Sequence, residues 1–160
     1  MEKVTYEPIG IIHSKYKKKE GVPIQGVLSK NSNGKIEIFS QYQDGLKDLE
    51  KFSHIILIYH FHLATKYSLS VKPFLEEKEH GIFACRAPKR PNPIGISVVK
   101  LEKVIGNVVY ISECDIIDGT PLLDIKPYVS KFDIRDDVKD GWLTGKLEDV
   151  KEHKADDRYS

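Results

Sequence analysis

Cysteine, net charge and long apolar runs are all scarce in this sequence. Only Cys85 and Cys114 occur among its 160 residues, too few for a disulfide scaffold or a cysteine zinc site. Two such thiols are typical of a chain in a reducing cytoplasm, which is the location we expect. The formal net charge is only +1. A generic binder of polyanions is therefore excluded, and a nucleic-acid partner would require a local basic patch.

Membrane and nucleotide-binding signatures are also missing. The N-terminal segment has no apolar run long enough for a signal peptide, and no stretch approaches membrane-spanning length, so we expect no membrane partner. No glycine-rich turn joins a strand to a helix, so neither a Rossmann site nor a P-loop is supported. His60 and His62 have strand spacing that puts both on one face. No third ligand has suitable spacing, and we predict no metal site.

The sequence does contain a series of short strand patterns with few helices. Its length predicts one domain, which we place at residues 1–133, followed by a polar tail at 134–160 with a short helix near LEDVKEHKADD. The segment SQYQDGLKDLEKF predicts a short helix with Ser40 as its N-cap. Many short strands favour a mainly β, mostly antiparallel barrel or sandwich. The predicted strands lie in EPIGIIHS, GKIEIF, SHIILIYHFHLA, SLSVKPF, GIFACR, GISVVKLEKVI, NVVYISECDII and TPLLDIKP. A turn is predicted at Gly106-Asn107, since this pair tolerates positive φ.

Residues 86–95, RAPKRPNPIG, form a rigid and basic loop. Each proline fixes its own φ and pushes the preceding residue into an extended conformation. The cations Arg86, Lys89 and Arg90 therefore point in set directions. An arginine fork can grip a carboxylate or phosphate with two N–H groups, whereas lysine acts as a point charge. The alternative is a solvated charge run of no further function.

Three carboxylates flank the predicted turn at Asp118-Gly119: those of Asp115, Asp118 and Asp124. Carboxylates in this arrangement can accept hydrogen bonds from a ribose diol or an ammonium group, and one of them could accept a proton. The alternative is turn chemistry alone, because Asp-Gly is a favoured turn dipeptide in any protein.

Taken together, GIFACRAPKRPNPIGIS and the later segment DIIDGTPLLDIKPY resemble the TsaA-like family. The segments EPIGIIHS, GVPIQ and GLKDLEKFSHIILIYHFH match it as well, so the resemblance covers residues 5–130. The resemblance implies a small closed β-barrel that binds S-adenosyl-L-methionine. It also implies a homodimer with the cofactor site near the subunit interface.

The resemblance further implies an activity and a set of site residues. The family's recognised activity is methylation at N6 of N6-threonylcarbamoyladenosine, the modified base beside the anticodon in certain tRNAs. By motif, the cofactor contacts are Pro23, Ile24, Gln25, Phe61, His62, Arg86, Ile94, Gly95, Ile96, Asp115, Ile116, Ile117 and Asp118.

Methyl transfer from a sulfonium is an in-line displacement, so catalysis rests mainly on positioning. An acyl group makes the adenine N6–H more acidic, and a modest base then suffices. Our candidates for that base are Asp118 and Tyr128. The basic residues expected to contact tRNA phosphates are Lys89 and Arg90 at the crest of the loop, with Lys17, Lys18 and Lys19 near the N-terminus.

The chain departs from the family pattern in two places. Ile24 stands where a basic residue is common, and the sequence stops soon after the expected barrel, where better-studied members carry a C-terminal extension that helps engage tRNA. Two alternatives therefore stay open. One is a methyltransferase of the same cofactor chemistry that acts on another substrate, and the other is a non-catalytic S-adenosylmethionine-binding protein.

Overall fold

Six antiparallel strands close on themselves in the computed structural model, which describes residues 2–18, 32–73 and 77–146. The barrel strands are β1 (Gly10–Ser14), β2 (Gly34–Ile38), β3 (His54–His60), β6 (Ile94–Ile105), β7 (Val108–Ser112) and β8 (Thr120–Pro127). Around the barrel their order is β1-β2-β7-β6-β3-β8, and β8 pairs back with β1 to close the barrel. The predicted mainly β, closed-barrel fold is confirmed. Two further short strands, β4 (Ser70–Val71) and β5 (His80–Gly81), form a separate pair.

Period-two alternation explains why these segments form a barrel with a filled interior. Along β3 the inward positions are fully buried, whereas the positions between them are half-buried on the outer face. Each aliphatic side chain buried in this way stabilises the fold by about 1.5–3 kcal/mol. The buried core consists of Ile12, Ile36, Ile38, Leu46, Ile55, Leu57, Tyr59, Val99, Leu101, Val109, Ile111, Cys114, Ile116 and Leu122.

Two tight turns lie where the sequence predicts them. Gly106 joins β6 to β7 with a φ of +59°, and Gly119 precedes β8 with a φ of +78°. A residue with a side chain is strained in this left-handed region, which is why glycine occupies both positions.

The helix predicted in SQYQDGLKDLEKF differs from expectation in type and in capping. Two 3₁₀ segments, Ser40–Leu46 and Leu49–Lys51, replace one continuous helix. They are separated at Asp48, whose left-handed φ of 66° ends any helical path. Ser40 is the first helical residue and not the N-cap. The N-cap is Phe39, which makes no side-chain capping hydrogen bond.

The strand predicted in GIFACR is wrong. After β5, the residues Ile82–Ala84 form a 3₁₀ helix. Ile82 and Cys85 are buried while Phe83 and Ala84 between them are exposed, and a spacing of three puts both buried residues on one face of a 3₁₀ turn. A strand would have exposed one of the two.

The prediction that His60 and His62 lie on one strand face is also wrong. β3 ends at His60. The next backbone N–H, that of Phe61, donates to the carbonyl of Pro93 at 2.7 Å, outside the β3–β6 ladder. His62 is therefore oriented by the loop that follows the strand.

Part of the polar tail packs back onto the β5 region. After α1 (Ser130–Asp133) and a 3₁₀ turn at Gly141–Leu143, the Trp142 ring stacks on His80 with centroids 4.9 Å apart. The indole N–H donates to the carbonyl of Ala84 at 2.9 Å. The predicted helix in LEDVKEHKADD lies outside the described residues. In the described part of the chain, no helix has the length and apolar character needed to cross a bilayer.

Candidate functional site

Three segments converge at one end of the barrel. They are the end of β3, the proline loop (residues 86–93) with the start of β6, and the β7–β8 connection (residues 113–119). The strand registers bring them together, because His60 pairs with Ile94 and Tyr59 pairs with Leu122. A register shift between β3 and β8 at this point bends the sheet. The motif segments RAPKRPNPIG and DIIDG therefore lie at one end of the barrel, whereas GVPIQ lies outside the described residues.

Arg90 stabilises the proline loop through hydrogen bonds to backbone carbonyls. Its Nη1 donates to the carbonyls of Cys85 at 2.7 Å and of Ile82 and Ala87 at 3.3 Å each. Charge-assisted hydrogen bonds of this kind are stronger than neutral ones, so they fix the loop's path together with the prolines. Contact of Arg90 with a tRNA phosphate stays a prediction. Such a contact would have to form while Arg90 Nη1 stays hydrogen-bonded to these three carbonyls.

The other loop residues face different surroundings. Arg86 is exposed, and Lys89 is half-buried with its carbonyl accepting the N–H of Ser68 at 3.3 Å. Burial raises the pKa of the Cys85 thiol, although the charge of Arg90 opposes this effect. The thiol is therefore protonated at neutral pH, and Cys85 acts as a small buried side chain.

Gly95 lies directly opposite Tyr59 in the β3–β6 ladder. A Cβ atom at Gly95 would lie 2.2 Å from Cε2 of the Tyr59 ring, so only glycine lets the ring lie across this position. Ile94 and Ile96 point to the outer face of the barrel, with exposures of 42% and 55%. Motif matching had grouped all three as cofactor contacts, whereas the structure divides them between two faces. Phe61 packs edge-on against Tyr59, with ring centroids 5.3 Å apart.

A buried chain of hydrogen bonds connects Tyr59 to Asp115. The Tyr59 hydroxyl lies 3.1 Å from Ser97 Oγ, which donates to Asp115 Oδ1 at 2.7 Å. Burial raises the pKa of Tyr59, and the nearby Asp115 carboxylate raises it further, against smaller opposing effects of Ser97 and Arg86. Sequence reasoning had missed Tyr59 and Ser97. The available signal was a serine among the inward positions of β6, where the other buried residues are Gly95, Val99 and Leu101.

The Asp115–Asp118 segment is held against the end of β1 and the residues after it. Ser14 Oγ donates to the carbonyl of Ile116 at 2.6 Å, and the Ser14 N–H donates to Asp118 Oδ1 at 3.1 Å. Lys17 Nζ lies 2.6 Å from Asp118 Oδ2. The Lys17 hydrogen bond lowers the pKa of Asp118, the Ser14 N–H acts in the same direction, and burial opposes both.

Replacing Lys17 with alanine should raise the pKa of Asp118 toward its ordinary value of 3.8. Because the folded-state pKa of Asp118 is depressed, its contribution to stability is present at neutral pH and is lost as pH falls through that pKa. The stability lost on acidification should be smaller in Lys17→Ala and complete at a higher pH, with a change at neutral pH below about 1 kcal/mol because Lys17 is exposed. Carboxyl NMR titration measures the midpoint. Lys18→Ala is the matched control, and an unchanged Asp118 midpoint in Lys17→Ala would contradict the assignment.

The hydrogen bonds of His62 fix its tautomer. Thr120 Oγ1 donates its only proton to the carbonyl of Ile117 at 2.7 Å, so the contact of 3.2 Å between Thr120 Oγ1 and His62 Nδ1 requires an Nδ1–H donor. Burial lowers the pKa of His62, the charge of His60 adds to this, and Asp118 opposes it. His62 is thus a neutral imidazole at pH 7, with Nε2 as its acceptor.

Some predicted site residues lie elsewhere or outside the described residues. Tyr128 follows the end of β8, with its ring edge-on to His54 and its N–H bonded to the His54 carbonyl. The whole of β8, about 25 Å of extended chain, separates Tyr128 from Asp118 within one subunit. No cluster suited to a metal ion occurs in residues 2–18, 32–73 and 77–146. Four of the predicted site residues lie outside the described part of the chain: Lys19, Pro23, Ile24 and Gln25.

Comparison with known proteins identifies the family. Residues 11–134 match the tRNA-methyltransferase O (TrmO) N-terminal domain. The chain belongs to this family. It is 53% identical over 156 residues to a probable S-adenosyl-L-methionine-binding protein of Pyrococcus abyssi, covering 98% of this chain and 85% of that protein. It is 40% identical over 134 residues to the tRNA (adenine(37)-N6)-methyltransferase of Mus musculus, covering 79% of this chain and 31% of that enzyme.

Solved structures of TrmO share the fold. The crystal structure of TrmO from Pseudomonas aeruginosa superposes with a TM-score of 0.76 at 37% identity, over 88% of this chain. This chain spans 62% of the length of that structure. The resemblance seen in the sequence is thereby confirmed at the level of family and fold.

Proposed function

We propose that this chain is an S-adenosyl-L-methionine-dependent tRNA methyltransferase that acts in the cytoplasm and methylates N6 of N6-threonylcarbamoyladenosine beside the anticodon. The observation that carries the proposal is the convergence, at one end of the barrel, of the segments that bear the family motifs. At this end of the barrel, these segments contain an exposed arginine, a carboxylate that accepts hydrogen bonds from neighbouring residues, and an aromatic ring. The names of the Pyrococcus abyssi and mouse relatives support the cofactor and the reaction.

The residues at this end suit the chemical groups of S-adenosyl-L-methionine. Arg86 is exposed and can grip the methionyl carboxylate with two N–H groups. Asp115 can accept hydrogen bonds from the ammonium group or the ribose diol, and the edge of Phe61 offers an apolar wall for adenine. Because Arg90 and the prolines hold the loop's path in advance, little ordering remains to be done on binding. When bound, the cofactor supplies an electrophilic methyl group on a sulfonium.

The proton on N6 requires an acceptor. Asp118 is ionised at neutral pH, but its depressed pKa makes it a weak base, which suits only an N–H that is already acidified by its acyl group. Tyr128 lies at the opposite end of the barrel, so it could serve only if a second subunit brought it to the site. We propose Asp118 as the acceptor within one subunit, with Tyr128 as the candidate from a partner.

An apolar stripe on the outside of the barrel supports a homodimer. Ile94, Ile96 and Val98 are 42%, 55% and 43% exposed on β6. They lie beside Ile56 and Ile58 of β3, which pair with Val98 and Ile96. The stripe begins at the proline loop, so a second copy covering it would also wall off the candidate site.

Ile96→Lys should convert the dimer to a monomer, because a lysine in the middle of the stripe would bury an unpaired charge at the interface. Sedimentation or light scattering at micromolar protein measures the change. Ile105→Lys is the matched control, since Ile105 is 56% exposed at the far end of the same strand, and this variant should stay dimeric. A wild-type chain that is monomeric under these conditions would refute the proposed dimer.

Cofactor binding can be tested by calorimetry. We expect S-adenosyl-L-methionine to bind with micromolar affinity, about −8 kcal/mol. An absence of both heat and thermal shift at millimolar cofactor would contradict the proposal. Transfer of a labelled methyl group to bulk tRNA then separates an enzyme from a non-catalytic binder, the alternative that the name of the Pyrococcus abyssi relative keeps open.

A further inference from the structure

The interior of the barrel contains two hydroxyl groups that packing alone does not require. Tyr59 and Ser97 face inward on β3 and β6 and are only 5% and 8% exposed. A buried hydroxyl costs free energy unless it is hydrogen-bonded, and phenylalanine with alanine would fill the same space without that cost. The Tyr59 and Ser97 hydroxyls are hydrogen-bonded to each other, and the Ser97 hydroxyl is also hydrogen-bonded to Asp115.

The hydrogen bonds of this chain have a definite direction. Ser97 has one hydroxyl proton and donates it to Asp115 Oδ1, so the Tyr59 O–H must donate to Ser97 Oγ. Burial keeps the Tyr59 proton in place by raising the pKa of Tyr59. Both hydroxyls therefore donate in the direction of the Asp115 carboxylate, and each hydrogen bond polarises the next one.

The strand register makes this arrangement possible. Tyr59 pairs with Gly95, and the absence of a side chain at Gly95 lets the tyrosine ring lie along β6 toward the next inward residue, Ser97. Arg86 lies close enough to act on the pKa of Tyr59. Tyr59 lies at the end of β3 and Asp115 in the β7–β8 connection, two of the three segments that converge at the candidate cofactor site.

We infer that Tyr59 and Ser97 are positioning residues, which hold the Asp115 carboxylate in the orientation that accepts a hydrogen bond from the cofactor. The donor on the cofactor is its ammonium group or its ribose diol. This inference rests on the proposed function, and it adds to that function two residues that act through Asp115 without touching the cofactor.

The experiment measures cofactor affinity by calorimetry in Tyr59→Phe, Ser97→Ala and Asp115→Asn, and in both hydroxyl variants combined with Asp115→Asn. Each single variant should bind S-adenosyl-L-methionine about tenfold more weakly, the equivalent of one hydrogen bond to a charged group. In the Asp115→Asn background, removal of either hydroxyl should cause no further loss. A purely structural role would weaken binding equally in both backgrounds.

Ser112→Ala is the matched control. Ser112 is also 8% exposed and donates its hydroxyl to a carboxylate, that of Glu102, so its loss should cost stability without changing affinity. 5′-Methylthioadenosine, which keeps the ribose and lacks the ammonium, serves as the second probe. If its affinity falls in the hydroxyl variants, Asp115 accepts from the ribose, and if it is unchanged, Asp115 accepts from the ammonium.

The outcomes separate the inference from the proposed function. A wild-type protein that does not bind the cofactor overturns the proposed function and the inference together. Wild-type binding that is unchanged in both Tyr59→Phe and Ser97→Ala overturns the inference alone. Melting curves without cofactor confirm that each variant is folded.

Discussion

Gly95→Ala should destabilise the protein by about 3 kcal/mol, at the upper end of the cost of overpacking a core. The new Cβ would lie 2.2 Å from Cε2 and 2.5 Å from Cζ of the Tyr59 ring. The ring is buried against the core and cannot swing away, so the strands must separate or the ring must leave its place. Thermal unfolding should show a midpoint lower by roughly 10 °C.

The same substitution should also weaken cofactor binding at least about tenfold, as Tyr59→Phe does, because a displaced Tyr59 can no longer reach Ser97. Gly45→Ala is the control: a Cβ at Gly45 meets nothing within 4 Å, so its stability should change by less than about 1 kcal/mol. Adding Tyr59→Leu to Gly95→Ala should recover part of the stability but not the affinity. A Gly95→Ala protein with wild-type stability would show that the ring does not lie where the structure places it.

Arg90→Ala should destabilise the conformation of the proline loop. The substitution leaves the carbonyls of Ile82, Cys85 and Ala87 without their shared donor, and the loss of charged hydrogen bonds should cost about 1.5–3 kcal/mol. Cofactor affinity should fall with it, because the loop's path is no longer fixed. Arg90→Lys should rescue little, since an ammonium does not reproduce the planar fork of a guanidinium.

Lys89→Ala is the comparison for this experiment. It should leave cofactor affinity nearly unchanged while weakening tRNA binding and flattening its salt dependence by about one phosphate contact. The reverse pattern in Arg90→Ala would contradict the structural role assigned to Arg90. If Arg90→Ala kept full stability and cofactor affinity but bound tRNA weakly, Arg90 would be a phosphate contact and not a brace.

The barrel could be predicted from the sequence because its signals are local. The signals are the period-two alternation of GKIEIF in β2, the apolar run of β3 and the glycine turns at Gly106 and Gly119, and each depends on a few neighbouring residues. The 3₁₀ helix at Ile82–Ala84 could not be predicted in this way. A short apolar run is ambiguous between helix and strand, and the donor that holds this one is the distant side chain of Arg90.

The site was predictable as a set of segments but not as an arrangement. Motif resemblance selected Ile94, Gly95 and Ile96 together, yet which of them faces inward depends on the pairing of β6 with β3. Tyr59 and Ser97 were missed for the same reason. Their contact joins two strands, and only the register reveals it.

The most direct test of the proposed function is to identify the nucleoside that the protein methylates. The protein would be incubated with methyl-labelled S-adenosyl-L-methionine and two tRNA preparations that differ only in the threonylcarbamoyl group on the adenosine beside the anticodon. Digestion and mass spectrometry would then identify the labelled nucleoside. We expect label only in the modified preparation, in N6-methyl-N6-threonylcarbamoyladenosine. Label in another nucleoside, or no transfer to either tRNA by a protein that binds the cofactor, would contradict it.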